Sequence, residues 1–259
     1  MMRLLYTAAT GMEAMQQNID VTSNNLANLN TNAFKKSRAN FHDLLYQTIK
    51  APGQNTTTGT VVPSGIQVGS GTRLSSVDKM FTTGAVKLTG NETDFMVEGH
   101  GFFRVQLEDG STAYTRDGNF KWDNSGRLVT ADGFPLVDEI TRPQGATNLV
   151  VGLDGVVTVN VGQEKQDIGQ IQLANFINPM GLQSKGRNLY QATEASGEPV
   201  VGIANQNGMG AIYHAQLEAA NVNIVEEMVN MISGQRAYEM NSKVIQTGDQ
   251  MLQATVAIR

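Results

Sequence analysis

Residues 18–36, NIDVTSNNLANLNTNAFKK, decide how the first part of this chain folds. The stretch holds six asparagines, and short polar side chains of this kind compete for the backbone and weaken helices. Yet Ile19, Thr22, Leu26 and Leu29 follow one another at spacings of three and four, as residues on one face of a helix do. The stretch is therefore predicted to be a helix that is stabilised by a partner rather than by its own propensity.

The same spacing extends towards the N-terminus and covers more than three heptads. Seven of its eight positions are apolar, which is typical of a coiled-coil seam, where each side chain fits between residues of a facing helix. We therefore predict an N-terminal helix over residues 1–30. The seam positions are Leu5, Ala8, Met12, Met15, Ile19, Thr22, Leu26 and Leu29.

The other end of the chain, residues 222–259, is predicted to be a second helix. Glu226 and Glu227 suit its N-terminus, where the helix dipole is positive. Gly234 and Gly248 share a face, and each costs up to about 1 kcal/mol relative to Ala in a helix, so we expect a neighbouring backbone to come close at both. The heptad positions are Ile224, Met231, Tyr238, Ile245 and Leu252, with Ala237, Val244 and Met251 in an adjacent row.

Two interpretations of these helices are open. They could be amphipathic helices packed on the protein's own core, or they could pair with each other and then with further copies of the chain. Nothing near either end resembles an α-helical domain that they could join, which favours the second interpretation. We therefore predict that the large apolar seam and heptad residues pack within and between subunits.

The middle of the chain is typical of β structure. Short runs rich in Val, Ile, Thr and aromatic residues are separated by Asp-Gly pairs, in which glycine supplies the positive φ of a hairpin turn. The predicted class is mainly β, with an antiparallel central domain, terminal helices that form a coiled-coil-like core, and an elongated multi-domain arrangement. The Asp-Gly pairs are at 109–110, 117–118, 132–133 and 154–155.

Glycine, proline and threonine concentrate at residues 50–72, which is typical of an extended loop or linker before the central region. Residues 72–190 are predicted to be the β domain, and residues 31–71 to be an extended linker domain with a loop at 46–72. Residues 191–221 are predicted to return along that linker before the last helix begins.

Composition and charge exclude several function classes. The net charge is -5 and the chain has no extended basic cluster, so nucleic acid is not a predicted partner. Cysteine is absent, so neither disulfides nor thiolate metal sites are expected. The first residues lack the apolar run and cleavage site of a secretory signal, and no stretch approaches the length of a membrane span.

No catalytic, cofactor or metal site is predicted, and the chain is not expected to be an enzyme. His42, His100 and His214 lie in different segments without a carboxylate or a second His at ligand spacing. Residues 117–128 resemble a calcium loop in part, but Lys121 occupies a ligand position.

Four segments resemble signatures of the flagellar rod and hook family. They are TAATGMEAMQQNIDVTSNNLANLNTNAFKK (7–36), EGHGFFRV (98–105), AYTRDGNF (113–120) and NVNIVEEMVNMISGQRAYEMNSKVIQTGDQML (221–252). The positions that match the N-terminal family motif are Asn24, Asn25, Leu26, Ala27, Asn28, Thr31, Phe34 and Lys35.

The resemblance implies a structural subunit of a tubular shaft in the bacterial periplasm, exported unfolded by the flagellar secretion apparatus without a cleaved signal peptide. Its partners would be copies of itself in a helical polymer that transmits torque, together with proximal rod proteins, the hook protein and the surrounding ring proteins. The chain length and the loop at 46–72, which resembles an insertion that keeps the rod straight and stiff, favour the distal rod.

Two alternatives remain. One is a proximal rod protein of the same family, and the other is a carbohydrate-binding β protein whose helical ends serve for oligomerisation. One position also departs from the family: Ala33 stands where the family usually has Gly. Because a non-glycine residue tolerates positive φ poorly, we expect the local turn to be adjusted.

Overall fold

A helix at each end of the chain flanks a long series of short strands in the computed structural model, which describes residues 2–53, 64–162 and 164–257. The predicted class, mainly β with an N-terminal and a C-terminal helix, is confirmed. Helix α1 is Met2–Ala27 and helix α2 is Ile224–Ala257. Within the described residues, neither helix is long and apolar enough to cross a membrane.

Contacts divide the chain into two compact units. Unit 1 takes the described residues of 1–27, 37–78 and 223–259, and unit 2 takes those of 28–36 and 79–222. Each unit is thus built from segments that are distant in sequence. Both helices belong to unit 1.

Unit 1 adds two pairs of strands to the helices. Strand β1 (Ser37–Asp43) pairs with β4 (Thr72–Lys79), and β2 (Gln47–Lys50) pairs antiparallel with β3 (Ile66–Val68). The described ends of the predicted loop at 46–72 therefore form a hairpin. Residues 54–63 of that loop lie outside the described residues.

Helix α2 begins with a local cap that explains its boundary. The side-chain oxygen Oδ1 of Asn223 accepts a hydrogen bond from the backbone nitrogen of Val225 (3.1 Å), and the Asn223 carbonyl accepts one from the nitrogen of Glu227 (3.0 Å). Asparagine is among the residues best suited to this role, since it satisfies a backbone donor that the first helical turn leaves unpaired.

Unit 2 contains antiparallel strands in small sheets. The strands are β5 Val86–Leu88, β6 Phe95–Glu98, β7 Phe103–Gln106, β8 Thr112–Thr115, β9 Phe120–Trp122, β10 Leu128–Thr130, β11 Ala146–Val151, β12 Val156–Val161, β13 Glu164–Gln170, β14 Gln172–Asn175, β15 Gln183–Gly186, β16 Leu189–Gln191, β17 Val200–Ile203, β18 Ala211–His214 and β19 Gln216–Glu218. The largest sheet among them has the order β15-β16-β8-β7, and β11, β12 and β13 form a meander. The other pairs are β9 with β10, β14 with β17, β6 with β18, and β5 with β19.

Two clusters of buried side chains form the core of unit 2. The larger draws residues from most of the strands, and alternate residues such as Phe103 and Val105 point into it, as the period of two in a strand requires. The smaller is aromatic, with the ring centroids of Phe102 and Phe176 5.8 Å apart in an edge-to-face arrangement. The core of the protein therefore lies in unit 2.

The Asp-Gly pairs do not all have the same role. Gly110, Gly133 and Gly155 have φ of 78°, 89° and 82° and lie in tight turns. Gly118 does not have positive φ, and it connects β8 to β9, which pair with other strands rather than with each other. A Cβ at Gly118 would collide with the carbonyl oxygen of Phe95, so close backbone approach requires glycine there.

The expectation that Ala33 would adjust its turn is wrong. Its φ is 54°, in the left-handed region that glycine favours. A hydrogen bond and burial hold Ala33 in this conformation. Its nitrogen donates to the backbone oxygen of Glu218 (2.7 Å), and its side chain is buried. The surrounding structure therefore imposes a conformation that alanine alone disfavours.

Candidate assembly surface

Helices α1 and α2 pack against each other in antiparallel fashion within unit 1. A Cβ added at Gly248 would lie 3.0 Å from Leu5, and one added at Gly234 would lie 3.0 Å from Ile19. From Leu5 to Ile19 the residue number on α1 rises by 14, and from Gly248 to Gly234 the residue number on α2 falls by 14. The pairing of the two helices with each other follows directly from this register.

Glycine at positions 234 and 248 makes room for side chains, not for a neighbouring backbone. The nearest atoms are Cγ1 of Ile19 at Gly234 and Cδ2 of Leu5 at Gly248. The expectation of close backbone approach is therefore wrong. A close neighbour is nevertheless present at both glycines, because large apolar side chains of α1 fill the space that a side chain at position 234 or 248 would occupy.

Asn25 joins the end of α1 to the start of α2 and to β1. Its Nδ2 donates to the backbone oxygen of Ser37 (2.8 Å) and to Oε2 of Glu227 (3.2 Å), while its Oδ1 accepts from the nitrogen of Ser37 (2.8 Å). Asn25 and Glu227 are both buried, so these bonds replace those that water would supply. We call Asn25, Ser37 and Glu227 the polar junction.

The predicted packing residues divide into two groups. Ile224 and Tyr238 are 45% and 39% exposed. The fully buried positions of α1 are smaller or polar residues, Ala8, Ala14, Thr22 and Asn25. The other predicted residues are half-buried in the single chain, namely Leu5, Met12, Met15, Ile19, Leu26, Leu29, Met231, Ile245 and Leu252. Their role in packing between subunits stays a prediction.

A row of apolar side chains on α2 is exposed and was not among the predicted residues. Val225, Met228, Val229 and Ile232 are 70%, 50%, 55% and 55% exposed, and we call them the outer row. Their spacing places them on the side of α2 away from the Gly234 and Gly248 face. The available signal was that six of the nine residues at 224–232 are apolar, a wider apolar side than the single heptad row needs, which indicates more than one apolar partner.

The described part of the hairpin in unit 1 is also apolar on its surface. Leu45, Tyr46, Ile49 and Ile66 are 89%, 55%, 60% and 53% exposed. Beside it, α1, α2 and β3 line an open groove of about 410 Å³. Within the described residues, unit 1 therefore presents apolar surface that its own helices and strands do not cover.

The second half of the N-terminal motif lies in unit 2, where Phe34 and Lys35 are buried and Thr31 is half-buried. The Lys35 amine donates to Oε1 of Glu218 (2.5 Å) and to the backbone oxygen of Thr82 (2.8 Å). Of the other motif residues, Asn24 and Ala27 are exposed and Asn28 is half-buried. The motif therefore supplies contacts to both units.

Burial changes the protonation equilibria around Lys35. Loss of hydration lowers the pKa of the Lys35 amine, although the facing Glu218 carboxylate opposes that change. Burial likewise lowers the pKa of the Arg116 guanidinium, whose Nη1 lies 3.8 Å from Oε2 of Glu218. Nearby, burial raises the pKa of Tyr190 to about 12.

Comparison with known proteins matches the chain to flagellar families in three places. The family described as "Flagella basal body rod protein" matches residues 5–35, "Flagellar hook protein FlgE/F/G D1 domain" matches 96–159, and "Flagellar basal body rod FlgEFG protein C-terminal" matches 215–258. These matches cover most of α1, part of unit 2 and the whole of α2.

Relatives of similar length extend the match to nearly the whole chain. The chain is 49% identical to the flagellar basal-body rod protein FlgG of Buchnera aphidicola subsp. Schizaphis graminum, over 96% of both chains. In Bacillus subtilis, it is 39% identical to FlgG and 30% identical to the flagellar hook-basal body complex protein FlhP, over the full length of each. With identity of this extent from end to end, the chain belongs to the FlgG family of flagellar basal-body rod proteins.

Proposed function

We propose that this chain is a structural subunit of the flagellar distal rod, which polymerises helically with copies of itself into a rigid shaft that transmits torque to the hook. It is not an enzyme. The observation that carries this proposal is the outer row of α2, which is apolar and exposed in a chain that belongs to a rod family. Burial of such a row against neighbouring subunits supplies free energy for assembly.

The contacts between subunits are proposed to be heterologous. A surface that binds a different surface on the next copy continues into an open helical polymer when the rotation does not close. The outer row and the hairpin are two separate apolar surfaces of unit 1, as such an arrangement requires. The predicted packing residues of α1 and α2 complete this interior in our proposal.

The described hairpin of unit 1, β2 with β3, supports a second part of the proposal, that the loop at 46–72 stiffens the rod. An extended segment lodged between neighbours blocks the sliding that bending requires. Deletion of residues 50–68 is expected to give rods that assemble but bend, measured as a shorter persistence length in electron micrographs. Rods of unchanged stiffness would contradict this role.

The further partners are proposed from the family alone. Proximal rod proteins would adjoin one end of the polymer, the hook protein the other, and ring proteins its circumference. Export to the periplasm without a cleaved signal peptide belongs to the same proposal.

The experiment that tests assembly places charge in the outer row. The double substitution Val229→Glu with Ile232→Glu is expected to leave a monomer with normal helical circular dichroism, because both side chains are exposed. In the source bacterium lacking its own copy, this variant is expected to give no distal rods in isolated basal bodies, since two carboxylates would have to be buried without partners.

A matched control carries the same charges on the same helix. Asn230→Glu with Gln235→Glu changes two exposed polar positions outside the outer row. We expect this control to form rods. Rods of normal length and number from the outer-row variant would contradict the proposed function.

A further inference from the structure

The loop between β17 and β18 of unit 2 contains the one Asn-Gly pair of the chain, Asn207-Gly208. Both residues have positive φ, 51° and 79°. The nitrogen of Met209 donates a hydrogen bond across them to the oxygen of Gln206 (2.9 Å). Positive φ at both central residues is the mark of a type I′ turn. Asn207 and Gly208 therefore form the tip of a tight turn.

The tip of this turn is exposed, whereas its base is fixed in the core. Residues 205–208 are exposed. On either side of them, Ala204 and Met209 are 0% and 8% exposed and belong to the larger core cluster. Motion of the tip therefore does not require the core of unit 2 to open, and segments of this kind fluctuate at low cost in free energy.

The backbone nitrogen of Gly208 is free to react with the side chain of Asn207. Within the described part of the chain, neither this nitrogen nor the Asn207 amide makes a hydrogen bond. A Cβ added at Gly208 would meet no atom within 4 Å. The space around the pair is therefore open on the side where a new bond would form.

These features suit the reaction by which asparagine loses its amide without an enzyme. The nitrogen of Gly208 gives its proton to hydroxide and attacks Cγ of Asn207, and the side-chain nitrogen takes a proton from water and leaves as ammonia. Water then opens the resulting succinimide ring at one of its two carbonyls. One opening gives aspartate, and the other gives isoaspartate. Glycine in the second position favours the ring, because no Cβ crowds the attacking nitrogen.

The two products differ in what they do to the backbone. Isoaspartate adds one carbon to the main chain two residues before Met209. A Cβ added at Gly202 would lie 3.0 Å from Cε of Met209, so this side chain is closely packed and a shift of it is destabilising. Aspartate keeps the backbone and adds only a charge at the exposed tip, where it tolerates positive φ.

We propose that Asn207 is a site of spontaneous deamidation in the folded protein, and that its isoaspartyl product loosens the core of unit 2 at Met209. The site lies in unit 2 alone, and it requires neither helix to be folded. It goes beyond the proposed function, and failure of either proposal leaves the other intact.

Ageing of the purified full chain in warm, mildly alkaline buffer tests the site. Peptide mapping by mass spectrometry follows the loss of the amide, and an isoaspartyl methyltransferase with S-adenosylmethionine labels the isoaspartyl product. Asn124, which is exposed in a turn but precedes Ser125, is the internal control. We expect Asn207 to react at least tenfold faster than Asn124. Asn207→Gln, whose longer side chain does not close the same ring, should abolish the label.

A sample aged in guanidinium chloride separates the effect of the sequence from that of the fold. Reaction at Asn207 in the denaturant but not in the folded chain would show that the turn protects the amide. Equal rates at Asn207 and Asn124 in the folded chain would show that the Asn-Gly turn confers no reactivity. Either result would overturn the site.

Urea unfolding tests the effect of the isoaspartyl product. Trp122, the one tryptophan of the chain, lies in unit 2 and reports its unfolding by fluorescence. Asn207→Asp carries the charge of the product on an unaltered backbone, so it should unfold at the same urea concentration as the unaltered chain. The midpoint of the aged chain should fall as its isoaspartyl fraction rises. An aged chain rich in isoaspartate that unfolds together with Asn207→Asp would overturn the effect at Met209.

Discussion

Asn25 on α1 donates a hydrogen bond from Nδ2 to Oε2 of Glu227 on α2 across 3.2 Å, and both residues are buried. Asn25→Ala removes this donor and its bonds to Ser37 together. We expect a loss of about 1–3 kcal/mol in the free energy of unfolding, since buried polar groups are left with fewer partners. Thermal melts followed at 222 nm measure it.

The control for this prediction is Ser23→Ala on an exposed position of the same helix. Its effect should stay within about 0.5 kcal/mol, as is usual for surface substitutions. If the two variants melt alike, the polar junction does not stabilise unit 1.

Gly234 sets the distance between the helices where Ile19 packs. Gly234→Val brings branched carbons to a position where even a Cβ lies 3.0 Å from Ile19 Cγ1. Overpacking of this kind costs about 1–3 kcal/mol, and it should lower the melting temperature of the helices. Ser233→Val, on the exposed neighbour, puts the same side chain on solvent and should have little effect. A Gly234→Val chain as stable as that control would contradict the register.

Substitutions at Ala33 distinguish the effect of backbone strain from the effect of side-chain packing. Ala33→Gly should be tolerated, because relief of the strain at φ 54° offsets the added freedom of the unfolded chain. Ala33→Val should destabilise by more than about 2 kcal/mol, since a β-branched residue is both strained at positive φ and too large for a site that is 2% exposed. Chemical denaturation of unit 2, followed by Trp122 fluorescence, distinguishes the two. Equal stability of the glycine and valine variants would contradict the strain and tight packing assigned to Ala33.

The raised pKa of Tyr190 predicts how the free energy of unfolding changes at alkaline pH. Its folded pKa is raised to about 12 from the usual 10.0, so the folded state keeps the proton over a range in which the unfolded state releases it. The contribution is present below pH 10 and is lost as the pH rises towards 12, by up to about 3 kcal/mol. Lys35, whose pKa is lowered, acts with the opposite sign.

The difference between the unaltered chain and Tyr190→Phe isolates the tyrosine from Lys35. Urea denaturation at pH 9, 10 and 11 should show the unaltered chain losing stability relative to the phenylalanine variant as the pH rises. Parallel pH dependence in the two chains would mean that the Tyr190 hydroxyl titrates in the folded state as it does in the unfolded one.

Local patterns in the sequence were sufficient to predict both helices and the β class. The spacing from Leu5 to Leu26 reports one helical face, and three of the four Asp-Gly pairs report tight turns, because each pattern depends on residues close in the chain. Helix α1 nevertheless ends at Ala27 rather than at residue 30, since Ala33 and the residues before it belong to unit 2. Long-range hydrogen bonds set that boundary.

The candidate surface was harder to predict for the same reason. A heptad counted from Ile224 selects one row of α2, yet Ile224 itself is exposed and Glu227 is buried against Asn25. The face of α2 that packs against α1 is set by Ile19 packing at Gly234 and Leu5 packing at Gly248. The spacing of apolar residues along α2 does not reveal these contacts. The Glu218 carboxylate likewise joins residues that are separated by most of unit 2.

The central claim is that neighbouring copies cover the outer row of α2, and the absence of cysteine from the chain permits a direct measurement. A single Val229→Cys substitution places one thiol in that row, and its rate of reaction with a maleimide can be compared in the dilute chain and in isolated rods. Our account predicts rapid labelling of the dilute chain and labelling at least tenfold slower in the rods. A thiol at this position that reacts equally fast in both would contradict it.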